Sequence, residues 1–318
     1  MENNTSIIIG IDHGNGAIKT ANHNFACGFT KQTIEPAEIF SGDVILYKGE
    51  YYTLTDTKIP YKVDKTQDEQ CFIDTLFAIA KELSSKYAEV EEKGLIGKEI
   101  TLAVGLPPAH FERQKKSFQT YFEDRMKYGV NFKYNKKPFS FRLKDIYIYP
   151  QDYAAVVVFA SEIINKYKAY CIDIGDGTVD LLALKDGIPD KTVMVSRELG
   201  ISVLRNKIID EVINDFSFTL DNDTIDAVLQ NKPSDFLDYE IETKIKQEAI
   251  DWAYFITDQL HTKIPEFRNA VTIFAGGGSK LLKPYLIKTE RFGKCVWIDE
   301  VKANAIGYET IAGLQKKG

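Results

Sequence analysis

Two segments of the sequence, lying about half the chain apart, each place an aspartate beside a glycine-rich turn. GIDHGNGAIKTA spans residues 10–21 and CIDIGDGTVDLL spans residues 171–182. Glycine lets backbone N–H groups surround phosphate oxygens, because no Cβ intervenes. A carboxylate cannot touch those phosphates directly, so Asp12 and Asp173 make sense if a cation such as Mg²⁺, retaining several waters, lies between. The pair predicts two loops that face one nucleotide polyphosphate.

The residues around these two turns suit the same ligand. Lys19 supplies positive charge to phosphates, Thr178 can donate a hydroxyl hydrogen bond, and Asp176 or Asp180 can accept from water or backbone. Either copy alone has a simpler explanation, a tight hairpin with an Asx turn. Two copies favour two similar domains, each with one loop at the end of its first strand.

A third glycine-rich element, VTIFAGGGSKLL, spans residues 271–282. It predicts a strand leading through glycines into a helix, an arrangement in which a ligand lies against glycine backbone near a helix N-terminus. The residues predicted to bind nucleotide in the three elements are Gly14, Asn15, Gly16, Lys19, Gly175, Asp176, Gly177, Thr178, Gly276, Gly277, Gly278 and Ser279.

Strands alternate with helices along the chain, which indicates α/β architecture. Hairpins are predicted at residues 7–21 and 43–54, the second turning at Lys48-Gly49. Helices are predicted at residues 71–90, 111–126, 153–164, 200–214 and 239–262, and strands at 100–106, 141–149 and 271–275, before a final strand and helix within 295–314.

Composition limits the classes of function. The chain has 318 residues, 44% hydrophobic and 27% charged, typical of soluble proteins and long enough for two domains. Its formal charge of −6 argues against direct nucleic-acid binding, which needs clustered Lys and Arg, so a link to DNA would need an adaptor. The cysteines are far apart and form no CxxC pair, which predicts reduced, buried thiols.

Membrane attachment is not expected. The sequence has no apolar run of about 18 residues, no basic secretory leader and no strongly apolar amphipathic tail. A cytoplasmic protein is predicted.

In their order and spacing, the three glycine-rich segments resemble the phosphate 1, phosphate 2 and adenosine motifs of the actin, sugar-kinase and chaperone ATPase superfamily. Two further segments match its interdomain helices: YPQDYAAVVVFA at 149–160 and EVKANAIGYETIA at 300–312. The early tyrosine-rich hairpin, the LAVGLPP strand end and the ANAIGY segment look most like ParM and its plasmid or phage relatives.

The resemblance implies an α/β, actin-like ATPase fold with two similar domains, duplicated ribonuclease H-like cores around a nucleotide cleft. Domain I would comprise residues 1–165 plus 303–318 and carry the first phosphate loop. Domain II would comprise residues 166–302 and carry the second loop and the adenosine motif. Residues 199–211 are expected to line the base and ribose.

The resemblance also implies a function. A ParM-like protein of the bacterial cytoplasm would bind ATP or ADP with Mg²⁺, polymerise with ATP and hydrolyse it in the filament. The filament would be unstable until capped by a DNA-bound adaptor of ParR type. The partners would thus be other copies of the chain and the adaptor, with no direct nucleic acid and no membrane.

The resemblance assigns catalytic roles to Asp12, Asp173 and Gln151. Gln151 falls where the family places the side chain that orients or activates the attacking water. Because an amide cannot accept a proton as a carboxylate does, positioning of water and slow hydrolysis are expected. Asp152 is the alternative base or a helix N-cap. His13, where the family has a small or acidic residue, is expected to be structural.

Two other functions remain open from sequence. One is a small-molecule kinase of the same fold, which would use a carboxylate to deprotonate a substrate hydroxyl. The other is a nucleotide-binding membrane-associated scaffold of the FtsA or PilM type, against which the missing amphipathic tail counts.

Overall fold

The protein folds into two compact units, unit 1 comprising residues 1–158 with 302–318, and unit 2 comprising residues 159–301. The computed structural model describes residues 6–37, 42–56, 62–232 and 236–316. Within these ranges, none of the helices combines the length and apolar character needed to cross a membrane.

Unit 1 is a large mixed sheet with helices packed on it. Its strands are β1 (Ile7–His13), β2 (Ala17–Lys19), β3 (Asn24–Ala26), β4 (Gly28–Gln32), β5 (Val44–Tyr47), β6 (Glu50–Thr55), β7 (Leu95–Leu106), β8 (Val130–Tyr134) and β9 (Lys137–Pro150). Its helices are α1 (Gln70–Lys86), α2 (Ala88–Lys93), α3 (Phe111–Met126), α4 (Tyr153–Phe159, of which residue 159 falls to unit 2) and α10 (Ala303–Gln315).

Unit 2 has a smaller sheet and its own apolar core. Its strands are β10 (Ala169–Ile174), β11 (Val179–Lys185), β12 (Ile188–Arg197), β13 (Val271–Ala275) and β14 (Cys295–Trp297). Its helices are α5 (Ser161–Ile164), α6 (Ile201–Phe216), α7 (Asn222–Leu229), α8 (Tyr239–His261) and α9 (Gly277–Lys288).

The two sheets share one strand plan. The described strands of unit 1 pair in the order β3-β2-β1-β7-β9-β8-β5-β6-β4, and those of unit 2 in the order β12-β11-β10-β13-β14. In unit 1, β1 pairs antiparallel with β2 and parallel with β7. In unit 2, β10 likewise pairs antiparallel with β11 and parallel with β13. The strands β3, β2, β1, β7 and β9 of unit 1 therefore correspond, in that order, to β12, β11, β10, β13 and β14 of unit 2. This confirms the predicted actin-like α/β fold with two similar domains.

The parallel strands bring their carboxyl ends to one edge of each sheet. In unit 1, β1 pairs in parallel with β7, which pairs in parallel with β9 through Leu106 and Pro150. In unit 2, β10 pairs in parallel with β13, with Asp173 opposite Ala275. Ligands of open α/β sheets bind at such edges, so the predicted loops stand where binding is expected.

Local patterns placed many elements correctly. The hairpin of β5 and β6 turns at Lys48 and Gly49, which have φ of 51° and 84°, the left-handed conformation that a two-residue turn requires. The helix predicted at residues 111–126 and the strand predicted at 271–275 have those bounds in the structure.

Two predicted helices are interrupted. The helix expected over residues 153–164 breaks at Ala160, whose φ of −136° and ψ of 23° leave the helical region, so that α4 and α5 are separate. The helix expected to run to about residue 90 ends at Lys86, because Tyr87 is extended and α2 starts afresh. The sequence patterns also missed β12 and α7.

Helix α10 packs closely against the rest of unit 1 at two glycines. A Cβ on Gly307 would lie 2.5 Å from the carbonyl carbon and oxygen of Ala154 in α4. A Cβ on Gly105 in β7 would lie 1.9 Å from the hydroxyl oxygen of Tyr308. The glycines are required because larger residues would push α10 away from the sheet.

Two glycines of α10 provide a matched stability test. Gly307→Ala should lower the free energy of unfolding by about 1–3 kcal/mol, because the added methyl meets backbone that cannot move aside. Gly313→Ala should raise it by roughly 0.5–1 kcal/mol, because the nearest neighbour of its Cβ is 3.9 Å away and alanine favours the helix. Urea unfolding of both variants checks this; equal effects would contradict the close crossing.

Candidate functional site

The first predicted phosphate loop is the turn between β1 and β2. The two strands pair antiparallel, with Asp12 opposite Lys19 and His13 opposite Ile18, and the turn spans residues 14–16. A Cβ on Gly14 would lie 2.7 Å from the carbonyl oxygen of Ala17, so the turn itself requires glycine here. The hairpin geometry predicted from the sequence is present.

Three residues predicted to act together meet at this loop. Asp12, 3% exposed, accepts a hydrogen bond of 2.9 Å at Oδ1 from the Gln151 side-chain amide. The Lys19 ammonium nitrogen lies 3.8 Å from Oδ2 of the same carboxylate. These side chains come from the end of β1, from β2 and from the residue after β9. The arrangement holds a carboxylate, a cation and an amide together at one sheet edge.

The backbone around Gln151 explains how its side chain is aimed. Its N–H donates to the Leu106 carbonyl at 2.8 Å, which continues the pairing of β7 with β9. Asp152 follows with φ of 66°, an unfavourable conformation for a residue other than glycine, and its N–H donates to Asn304 Oδ1 at 2.8 Å. Strain of this kind persists where surrounding contacts enforce it. Asp152 therefore lacks the extended conformation typical of an N-cap.

The His13 side chain links the first phosphate loop to α1 through a hydrogen bond. Its Nε2 lies 2.8 Å from the Thr75 hydroxyl, which itself donates to the Cys71 carbonyl at 2.7 Å. Because that hydroxyl has one hydrogen, His13 Nε2 must be the donor. Burial, aided by the nearby Lys65 ammonium, lowers the pKa of His13 to about 3, so the ring is neutral. Lys65 donates a hydrogen bond to the His13 carbonyl.

This buried ring predicts loss of stability in acid. Above its unfolded pKa near 6.5, His13 is neutral in both states; below that pH the unfolded chain binds a proton that the folded chain refuses until about pH 3. The free energy of unfolding should therefore fall by about 2 kcal/mol more between pH 8 and pH 5 than in His13→Gln, whose amide can still donate to Thr75. Urea unfolding at both pH values checks this; parallel losses would contradict it.

The second predicted phosphate loop is the turn between β10 and β11. Asp173 pairs with Asp180 across the hairpin, and the Gly175 N–H closes the turn by donating to the Thr178 carbonyl at 2.8 Å. The Thr178 hydroxyl donates to Asp180 Oδ2 at 2.8 Å. The hydroxyl predicted to face phosphate thus has its hydrogen directed to a carboxylate of its own strand.

The start of α6 fixes the peptide planes of this loop. The backbone N–H of Ile201 donates to the Gly175 carbonyl at 3.1 Å, that of Ser202 to the Asp176 carbonyl at 2.9 Å, and that of Gly200 to the Gly177 carbonyl at 3.2 Å. The Ser202 hydroxyl also donates to the Asp176 carbonyl at 2.7 Å. In a trans peptide the N–H points opposite to the C=O. The N–H groups of residues 176–178 therefore point together away from α6, as in an anion-binding nest.

The third glycine-rich element lies beside the second loop. Gly276, with φ of 84°, follows β13, and a Cβ there would lie 2.1 Å from Asp173 Oδ1. A Cβ on Gly278 would lie 2.6 Å from the Ile201 side chain and 2.7 Å from the Ile174 carbonyl oxygen. Both glycines are therefore required by packing within unit 2.

Gly277 differs from its two neighbours. A Cβ there would meet no atom of the described residues within 4 Å, although it is the first residue of α9. Nearby, the buried Ser279 hydroxyl has no hydrogen-bond partner among the described residues. The open space at Gly277 leaves room for a ligand at the start of α9.

Several residues of the site were not singled out from the sequence. Asn304 of α10 accepts from the backbone N–H of Asp152, next to Gln151, and Thr75 of α1 accepts from His13. Ser202 and Arg205 of α6 hold the second loop. Residues 199–211 were expected to line the base and ribose. In the structure, residues 200–202 and Arg205 contact the loop itself.

Comparison with known proteins relates the N-terminal part of the chain to a family. Residues 10–153 match the model of the N-terminal domain of actin-like proteins. A search of curated proteins gave no match.

Solved structures match over nearly the whole chain. An archaeal actin homolog, Ta0583, has a TM-score of 0.76 at 18% identity, covering 97% of this chain and 99% of that one. The ParM of a 15-stranded Clostridium botulinum filament has a TM-score of 0.74 at 19% identity, covering 98% and 99%. The ParM of psk41 has a TM-score of 0.70 at 13% identity, covering 98% of both chains.

At these identities the solved structures establish the fold, and the family model matches only the N-terminal part of the chain. Residues 10–153 therefore resemble the N-terminal domain of actin-like proteins, and the chain has the actin-like fold.

Proposed function

We propose that this chain is an actin-like ATPase that polymerises with ATP, hydrolyses it slowly, and segregates plasmid or phage DNA through an adaptor. The observation that carries the proposal is the second loop, whose three peptide N–H groups point to one side, in a unit where Asp173 lies against Gly276. Backbone N–H groups of this kind bind phosphate oxygens. The open space at Gly277 suits the rest of a nucleotide.

Each loop, taken by itself, carries residues that suit a nucleotide bound with Mg²⁺. Asp12 and Asp173 offer the carboxylates through which hydrated Mg²⁺ is commonly held beside phosphates. When bound, that ion would neutralise the charge that develops on the transferred phosphoryl group. Lys19, 3.8 Å from Asp12, adds positive charge on the same side.

The chemical role that fits Gln151 is to orient water. Its side-chain nitrogen donates to Asp12, so its amide oxygen is the atom available to accept a hydrogen bond from water. An amide does not take up a proton at neutral pH, and the attacking water would be positioned without being deprotonated by this residue. This supports slow turnover.

Self-association and the adaptor are further parts of the proposal. The solved neighbours include a ParM of Clostridium botulinum and Alp12, both described as filaments, and an ADP complex of the archaeal homolog. We infer by analogy that copies of this chain assemble, in the bacterial cytoplasm, and that a DNA-bound adaptor of ParR type caps them. The net charge of −6 favours an adaptor over direct DNA binding.

Light scattering and pelleting of the purified protein test the proposal. With Mg-ATP, scattering should rise and then decay, whereas Mg-ADP or no nucleotide should give little polymer. Asp173→Ala should abolish the rise, and circular dichroism should show that its fold is retained. A flat trace from protein that binds ATP would reject the filament and favour a kinase or a scaffold.

A further inference from the structure

Arg205 of α6 joins the second phosphate loop to α7. Its Nε and Nη2 donate to the two oxygens of Asp226 at 2.9 and 2.7 Å, and its Nη1 donates to Asp176 Oδ1 at 3.0 Å. The Arg205 side chain is 13% exposed. One guanidinium therefore links a carboxylate of the loop to a carboxylate of a helix outside it.

The geometry makes Asp226 the anchor of this link. A bidentate carboxylate fixes the plane of a guanidinium, which then directs the remaining nitrogen along one line. Asp226 is itself held, because α7 buries Ile225, Val228 and Leu229 and begins with a side-chain cap in which Asp221 accepts from the Thr224 N–H at 2.7 Å. Asp226 therefore determines where Arg205 meets Asp176.

Charge gives the link a consequence for anion binding. Asp176 lies in the loop whose N–H groups point together to one side, and a carboxylate there disfavours a nearby polyphosphate. Arg205 compensates that charge and holds the side chain on the α6 side of the loop. By holding the Asp176 side chain, Arg205 also restrains the Asp176 peptide, whose carbonyl accepts a hydrogen bond from the Ser202 hydroxyl.

We propose that Arg205, oriented by Asp226, is a positioning residue that keeps the second loop ready for a nucleotide polyphosphate. This rests on the proposed nucleotide binding and deepens it. Asp226 contributes without belonging to the loop, so α7 influences the phosphate site through a single guanidinium.

Affinity measurements with two ligands test the inference. Arg205→Met should weaken Mg-ADP binding about 10- to 30-fold, while adenosine, which has no phosphate, should bind within about twofold of wild type. Asp226→Ala should weaken Mg-ADP binding in the same direction. Lys244→Met, which breaks ion pairs between α8 and α6 at Glu211 and Asp215, is the matched control and should leave both affinities unchanged.

A double variant separates charge compensation from packing. In Arg205→Met combined with Asp176→Asn, the negative charge that Arg205 offsets in the wild type is also removed, and Mg-ADP affinity should recover to within about threefold of Asp176→Asn alone. An equal loss of adenosine and Mg-ADP affinity in Arg205→Met, or no effect of Asp226→Ala, would overturn the inference.

Hydrogen exchange distinguishes this inference from the proposed function. In the protein without nucleotide, Arg205→Met should speed exchange of the amides of residues 200–202 about tenfold, because the loop carbonyls that accept their hydrogen bonds lose a restraint. If wild type bound no nucleotide, the proposed function would fail, and unchanged exchange in the variant would separately reject the positioning role.

Discussion

Gln151→Ala should lower ATP turnover about 100-fold while leaving ATP affinity within about threefold of wild type. The side chain is held by Asp12 at 2.9 Å and by the backbone pairing of Gln151 with Leu106, so its oxygen is presented in one direction. Alanine removes that oxygen and the hydrogen bond to Asp12, but it changes no residue of either phosphate loop. Phosphate release at saturating Mg-ATP and binding of a fluorescent ATP analogue provide the two measurements.

A second glutamine in unit 1 provides the control. Gln119 lies on α3, where its amide donates to Glu123 on the surface, and Gln119→Ala should keep wild-type turnover. Equal turnover in Gln151→Ala and wild type would remove Gln151 from the mechanism and direct attention to Asp152.

Gln151→Glu tests the contact between residue 151 and Asp12 by replacing the donating amide with a second carboxylate. The new carboxylate would face Asp12, and repulsion should raise the pKa of the introduced glutamate in the folded protein. The folded state then keeps a proton that the unfolded chain loses near about pH 4. Relative to wild type, the variant should therefore be less stable at pH 8 than at pH 5 when thermal unfolding is compared.

The two neighbouring glycines Gly276 and Gly277 should respond to alanine in different ways. Gly276→Ala combines a positive φ of 84° with a Cβ only 2.1 Å from Asp173 Oδ1. We expect a loss of about 3 kcal/mol of stability and displacement of Asp173, which would abolish measurable nucleotide binding. Thermal unfolding and equilibrium binding measure both effects.

Gly277→Ala should leave stability at or above the wild-type value, since its Cβ meets no described atom within 4 Å. Mg-ATP should nevertheless bind about 5- to 150-fold more weakly, because a methyl group would occupy the space assigned to the ligand. Normal affinity in this variant would show that the ligand does not approach the start of α9.

The features that the sequence predicted are those set by neighbouring residues. Both IDxGxG hairpins, the turn at Lys48-Gly49 and the strand before Gly276 follow from glycine, β-branched residues and two-residue turns. The repeated loop also predicted two similar domains, which the matching strand orders confirm. Local chemistry and an internal repeat indicated α/β architecture with two similar domains, and the family resemblance supplied the actin-like fold.

What the sequence missed depends on distant contacts. The helix break at Ala160 involves neither glycine nor proline, and α7 has only eight residues. The Asp152 backbone next to Gln151 is held by Asn304, and Asp176 is held by Arg205, which Asp226 orients. Such pairs form only when the chain has folded, so one sequence does not indicate which Asn or Arg takes part.

The interleaved order of the two units has a consequence during protein synthesis. All of unit 2 lies between β9 and α10, yet α10 covers β1 and β7 through Gly10 and Gly105. A ribosome therefore completes unit 2 before it makes the helix that closes unit 1. Until α10 is made, the face of β1 and β7 that this helix covers stays exposed in the nascent chain. Exposed apolar surface of this kind makes nascent chains prone to aggregation and a target for chaperones.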